Sequence, residues 1–468
     1  RQPLLALPGT PIWTVIQTQP GEGLRQQLAA LQPNWPAPST LGPEQIRLLV
    51  YAAISAGSRA LVFQSQSSLD RDDPDTRQRA ATLRLLNAEL EVIEPWLAAG
   101  EFLALADSSQ RQVTGAVLRS DRARIVLPVW SAPGSQCVAP EAAATPLAMI
   151  VPGVPESSSA YELTCGRLQP LRHKRETGGM RLTLDEFNLT GLILLAQDPL
   201  VIDAVTRRAG RNVQPNAEFQ RFLAAQKFER VRKTLAQLGR RGPQQAAIAP
   251  QLAAAQQSLR LCDSQMGAGS FEGVSLHAAR AMRSLRFIER VCWESAVRSL
   301  GSPVGSPGAT GFTTLPWHWS LLDRLAASRP GPNRLPGGDF EDFTAMLRSG
   351  WHHYEYATEG VGTAADLVVE ARHGGEWGLR LTARPDNPEN PPAMIERPPV
   401  WITSAPVQVE AGQLVRIHGW VSIPKAISGS VDGLMIVDSW SGLDLAERID
   451  RTDGQWREFT MFRAAPRS

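Results

Sequence analysis

Residues 11–17, PIWTVIQ, and 59–66, RALVFQSQ, decide how the first hundred residues fold. Each is a short apolar run bounded by turn residues, the pattern of a buried strand. Between them, residues 43–57 start on Pro43, end on Gly57 and place Ile46, Leu49, Val50 and Ala53 at i, i+3, i+4 and i+7, which predicts an amphipathic helix. After the polar turn 67–75, residues 75–99 carry Leu83, Leu86, Leu90, Ile93 and Leu97 at spacings of three and four. Strand, loop, helix, strand, helix is the repeat of a parallel α/β fold. Two strands do not close a sheet, so further strands are expected upstream of Arg1 or from another chain.

The chain has 468 residues, 43% hydrophobic and 20% charged, with a formal net charge of +2. That is enough for about three domains, and it excludes disordered, collagen-like and coiled-coil classes. No run approaches the roughly 18 apolar residues of a membrane span. The sequence opens on Arg1, inside an apolar segment, and is expected to be a piece of a longer polypeptide. Charge is uneven: residues 201–300 hold 16 Lys and Arg against 7 Asp and Glu, whereas 336–468 hold 12 against 19. The change of sign predicts separate domains. The basic third scatters Arg230, Arg232, Arg240 and Arg241 through helical segments without interleaved aromatics, the pattern of a solvated helix face, so no nucleic-acid partner is expected. Cys137 and Cys165 fall in one β-rich region, and Cys262 and Cys292 in one helical region. Without CxxC spacing they read as two local disulfides or as buried thiols, and zinc is not expected.

The organisation expected along the chain is β/α units over 1–105, a β-sandwich over 106–212, a helical bundle or hairpin over 213–300, a linker over 301–335 and a β-domain over 336–468. Short strands separated by SAPG (131–134) and ETGG (176–179) carry the second region. Within it, Arg172-His173-Lys174-Arg175 reads as a strand edge guarded by charge. Asp185 and Glu186 are adjacent, so in a strand they point to opposite faces and make a poor catalytic pair. The knot Trp317-His318-Trp319 is expected to dock the linker onto a neighbour.

In the last region, alternation over 415–423 puts Val415, Ile417, Val421 and Ile423 on one face and Arg416, His418, Trp420 and Ser422 on the other. The same rule groups Leu434, Ile436, Asp438 and Trp440. A ring beside a guanidinium, an imidazole and a carboxylate suits sugars, which stack their C–H face and hydrogen-bond through hydroxyls. Trp420 and then Trp351 are the expected platforms.

Two stretches carry family resemblances. PIWTVIQTQPG (11–21), Asn34-Trp35, Pro43-Glu44 and SAGSRALVF (55–63) resemble the last two units of the family 42 type, β-galactosidase-like glycoside hydrolases, which are TIM barrels. LPGGDFEDF (335–343), Gly350-Trp351, VQVEAGQLVRIHGWV (407–421) and Thr452-Asp453-Gly454-Gln455-Trp456 resemble the galactose-binding-like jelly rolls that serve as carbohydrate-binding modules. The fold class so implied is a multidomain chain: partial (β/α)8 barrel, β-sandwich, α-helical bundle or hairpin, and β jelly roll. The first resemblance implies sugar contacts at Gln17, Trp35, Gln64 and Gln66, with Gln19 and Asp70 nearby. It also places Gln17 where the family has its nucleophilic carboxylate, and an amide cannot form a glycosyl ester. The second implies a structural calcium at Asp339 and Glu341. Together they imply a polysaccharide or oligosaccharide ligand, an extracellular, periplasmic or cell-surface location, and either hydrolysis of glycosidic bonds by the larger protein or binding alone by a degenerate barrel.

Overall fold

A computed structural model describes residues 7, 10–120, 122–130, 146–164, 166–241, 245–430 and 432–466. Strand β1 (Trp13–Gln17) pairs in parallel with β2 (Ala60–Gln64), Trp13 opposite Ala60 and Gln17 opposite Gln64. Between them lie helix α1 (Glu22–Leu31) and helix α2 (Pro43–Ser55). Helix α3 (Pro74–Ala99) follows, its first turn capped by the Asp73 carboxylate accepting from the Thr76 amide. Ile16, Leu61 and Phe63 face these helices. On the opposite face Trp13 is 66% exposed and Val15 57%.

The parallel ladder ends at two strands. At Gly100, where a side chain would strike the Trp96 carbonyl, the chain turns into β3 (Glu101–Ser108) and starts an antiparallel sheet. This strand runs through position 105, the boundary expected between the first two regions. The sheet continues with β4 (Val113–Ser120), β5 (Ala123–Trp130), β6 (Leu147–Val151), β7 (Ser159–Thr164), β8 (Arg167–Pro170), β9 (Arg172–Glu176), β10 (Gly179–Leu184) and β11 (Ile193–Ala196). Its order is β8-β7-β11-β5-β4-β3-β6-β10-β9. β3 pairs with β4 along most of its length and with β6 at Asp107 and Ser108, so one strand serves two halves of the sheet.

The central strands are apolar on both sides because both sides are covered. Leu118, Ile125, Leu127 and Leu194 pack on Ile46, Val50, Leu86, Ile93 and Trp96 of the helices, together with Val205 and Ala209 from α4 (Pro199–Gly210). Their neighbours Val117, Val126, Trp130, Ile193 and Leu195 point the other way, onto Leu147, Met149 and Val151 of β6 and Met180 and Leu182 of β10. Trp96 is 3% exposed, with its ring nitrogen donating to the Ala123 carbonyl at 3.1 Å. The basic run Arg172–Glu176 is the edge strand β9, where charge blocks pairing with another sheet.

Helices α5 (Val213–Leu238), α6 (Gln245–Gly267) and α7 (Phe271–Val297) pack side by side. Cys262 and Cys292 are free and buried in different clusters, Cys262 beside Ala217 and Val274 and Cys292 beside Phe228 and Leu285. They form no disulfide; Cys137 and Cys165 lie outside the described residues. The bundle meets the α/β unit through buried charges. Lys227 pairs with Glu44 and, at 2.8 Å, with Glu289, while Arg286 reaches Glu44 at 2.5 Å and Asn188 at 2.7 Å. Burial works to raise the Glu44 carboxyl, but Lys227 and Arg286 hold it below the usual range. Glu289 is pushed up by burial.

Residues 303–326 are folded rather than free. Three short 3-10 turns lead into α8 (Leu315–Ala326), where Trp317 packs on Leu28 and Leu31 of α1. His318 is wholly buried between the Ser306 hydroxyl and the Ala296 carbonyl. After α9 (Phe343–Ser349), residues 352–464 form antiparallel two-stranded ladders: β12 (His352–Glu355) with β15 (Val400–Thr403), β13 (Val361–Val368) with β14 (Gly378–Pro385), β16 (Leu414–Val421) with β19 (Arg457–Ala464), and β17 (Leu434–Ile436) with β18 (Glu447–Ile449). Among the described residues no helix is long and apolar enough to cross a membrane.

Two outcomes follow from these contacts. Lys227→Met leaves Glu44 and Glu289 facing each other and should cost about 3–5 kcal/mol in denaturant unfolding, with most of the loss recovered in Lys227→Met/Glu289→Leu. Burial pushes the Cys262 thiol up to about 11 and the Cys292 thiol up to about 12. Peptide-resolved alkylation should therefore label both only after unfolding.

Candidate functional site

The expected division of β16 into two faces is realised. Val415 and Ile417 lie across from Arg463 and Met461 of β19, which are fully buried, while Arg416, His418 and Trp420 are exposed. The first set is half-buried, as expected for a strand that alternates a more covered with a more open side. Trp420 is 44% exposed. The imidazole of His373 stacks on its indole, ring centres 4.1 Å apart and planes 15° from parallel, and Trp456 meets His373 edge-on at 5.1 Å. A second exposed pair, Tyr354 and Trp401, stacks at 5.3 Å across the β12–β15 ladder. Trp401, Arg416, His418, Trp420 and Trp456 line one open cleft of about 3770 Å³. Its walls also include Val415, Ile417 and much of the chain from Arg324 to Phe462, so the cavity spans both faces of β16.

Not every expected residue joins this face. Trp351 is 7% exposed, its ring nitrogen donating to the Pro336 carbonyl at 2.7 Å and its indole meeting Phe340 edge-on. It is core. Strand β17 ends at Ile436, so the alternation rule does not extend to Asp438. The Asp438 carboxylate instead accepts from Arg463 Nε at 2.7 Å, from the Trp440 and Ser441 amides and from the Ser441 hydroxyl. Burial opposes its charge, yet the Ser441 hydroxyl and Arg463 hold the carboxyl below the usual range. Trp440 is half-buried beside it.

Asp339 is exposed. Glu341 accepts from the amides of Glu376 and Trp377, so its oxygens already staple a turn. Among the described residues no group of three His, Cys, Asp or Glu side chains is arranged to hold a metal, and calcium wants six to eight oxygens.

At the other end of the chain, Gln17 and Gln64 are exposed partners in register at the ends of β1 and β2, on the face that carries Trp13 and Val15. Gln66 and Asp70 are exposed on the turn beyond. Gln19 is buried, donating to the Ser39 carbonyl at 2.8 Å and accepting from the Gln66 amide at 2.5 Å, which closes the loops around the strand ends. Trp35 meets Trp317 edge-on at 5.5 Å. It joins α8 to the loop after α1. The carboxyl of Glu162, pushed up to about 7 by burial and by Asp185, sits on β7 and does not line the cleft.

Sequence reading missed His373 as a contact of Trp420. It lies in Arg372-His373-Gly374-Gly375, a loop with no periodicity, and meets its partner 47 positions away only in three dimensions.

No protein-family profile and no curated protein sequence matches the chain. Among solved structures it is similar to Thermotoga maritima alpha-fucosidase, at 11% identity and a TM-score of 0.27, over 41% of this chain and 40% of that one. The same enzyme in complex with fucose gives 13% identity and a TM-score of 0.28, over 41% of each chain. A structure described as alpha-L-fucosidase gives 14%, 0.27, 41% and 39%. The chain thus spans about two fifths of the length of these structures. A likeness this distant says nothing of substrate.

Because the folded Asp438 carboxyl lies below its unfolded value, its contribution is present above the unfolded value and lost as pH falls through the folded one. Asp438→Asn should therefore lower stability at neutral pH by about 3–5 kcal/mol, the cost of breaking a buried pair, and flatten the acid limb of a melting-temperature profile.

Proposed function

We propose that the chain is a carbohydrate-binding part of a glycoside-hydrolase-like protein that works outside the cytoplasm, at the cell surface or in the periplasm. The observation that supports it is the exposed face of β16, where Arg416 and His418 stand beside Trp420 with Trp456 close by. An indole offers a flat apolar surface to the C–H face of a pyranose, and the guanidinium and imidazole supply hydrogen bonds to hydroxyls and to acidic groups. In this reading residues 336–468 are a galactose-binding-like jelly roll.

The first hundred residues are, on the same reading, the closing units of a family 42 type barrel. Gln17 and Gln64 share a face at the carboxyl ends of parallel strands, where such barrels bind substrate. The bare apolar face of Trp13 and Val15 is where further strands of the same polypeptide would pack. An amide at Gln17 favours binding over retaining hydrolysis.

Affinity electrophoresis and titration calorimetry of the chain against plant, algal and bacterial polysaccharides test the reading. At least one should bind, with Trp420→Ala weakening it about tenfold or more. A chelator arm tests the calcium expected at Asp339 and Glu341: a bound structural cation should show as a lower melting temperature on chelation. Failure of the folded chain to bind any of the panel overturns the proposal.

A further inference from the structure

We infer that His373 is a positioning residue of this cleft: the loop 372–377, anchored by Glu341, clamps the Trp420 indole in one orientation before ligand arrives. The inference rests on the carbohydrate-binding reading and deepens it. An exposed tryptophan on a strand is free to turn about two side-chain bonds, and ordering such a side chain on binding costs about 0.5–1.5 kcal/mol. Here the ordering is done within the fold. His373 lies flat on the indole at 4.1 Å, and Trp456 closes against the imidazole edge at 5.1 Å, so two rings from separate segments restrain a third. Trp420 still keeps 44% of its surface open, so the clamp leaves room for a ligand.

The loop that carries the imidazole is itself tied down. Glu341 accepts from the Glu376 amide with both oxygens at 3.1 Å and from the Trp377 amide at 3.4 Å. Gly375 sits at φ +73°, and a side chain there would collide with the Glu341 carboxylate. Glycine is required at this position for the carboxylate to approach and for the left-handed turn. From Glu341 through the 375–377 turn to His373 and Trp420, a charge on one segment thereby fixes a ring on another. Glu341 then serves the ligand site as an anchor of the loop.

Calorimetry on the full chain, with whichever polysaccharide of the panel binds, reads the clamp through three variants. His373→Ala should weaken affinity about two- to tenfold, and His373→Phe, which keeps a flat ring on the indole, should restore it. Glu341→Gln should weaken affinity in the same direction, because an amide accepts less strongly from the two backbone donors. A ligand-free arm uses hydroxyl-radical footprinting resolved by peptide mass. In His373→Ala, oxidation of Trp420 should rise while that of Trp401 stays constant. Unchanged or tighter binding in His373→Ala, with Trp420→Ala still defective, overturns the clamp and leaves the carbohydrate reading intact. Should no polysaccharide bind the native chain, that reading fails, and the footprint alone decides: Trp420 oxidation unchanged by His373→Ala overturns the clamp.

Discussion

Everything in the first two hundred residues depends on covering the central strands of the nine-stranded sheet from both sides. β4, β5 and β11 present one row of branched aliphatics to α2, α3 and α4 and the alternate row to β6 and β10. Neither cover suffices alone. A strand apolar on both faces is insoluble until both neighbours arrive, so the helical layer and the far half of the sheet must fold with it. Each buried aliphatic contributes roughly 1.5–3 kcal/mol of transfer free energy, and the two rows together anchor the surrounding elements. The same constraint explains why β3 changes partners at Asp107: the sheet has to double back to supply its own second cover.

Much of this architecture is legible in the sequence where burial is one-sided or complete. The helices at Pro43–Ser55 and Pro74–Ala99 announce themselves because one stripe is apolar and both ends carry caps or breakers. β4 and β5 are expected only as short strands between turns; that they are buried on both sides follows from the two covers. Helix α1 escapes notice because Leu24, Leu28 and Leu31 stand inside a stretch bounded by proline and glycine that reads as loop. β8 and β9 lack hydrophobic alternation altogether, since edge strands with solvent on their sides need none.

The candidate site is legible in part, and the division has a physical cause. Arg416, His418 and Trp420 follow from period-two alternation within one strand, a local rule. Asp438 fails that rule because β17 stops at Ile436, after which hydrogen bonding to Ser441 and Arg463 sets its direction. Trp351 and Trp35 are drawn into packing by Phe340 and Trp317. Their fate turns on long-range neighbours, as does the meeting of His373 with Trp420. Alternation shows which way a side chain leaves the backbone; the partner that receives it is chosen by topology.

The way the two ends of the chain are joined bears on how a bound ligand is presented. The side-chain amide of Gln27 in α1 clasps Ala464 of β19, its Oε1 accepting from the Ala464 amide at 2.9 Å and its Nε2 donating to the Ala464 carbonyl at 3.1 Å; the Asp444 carboxylate accepts from the Gly23 amide at the start of α1; and Arg324 of α8 donates to the Gly412 carbonyl. Arg463, wholly buried, adds a bond to the Val304 carbonyl. A binding module on a loose tether raises local ligand concentration but leaves direction to chance. Here the bonds run from the first helix and from α8 to the turn before β16 and to the end of β19, so on the proposed carbohydrate reading a ligand on β16 would meet a module that turns with the α/β unit instead of swinging from it.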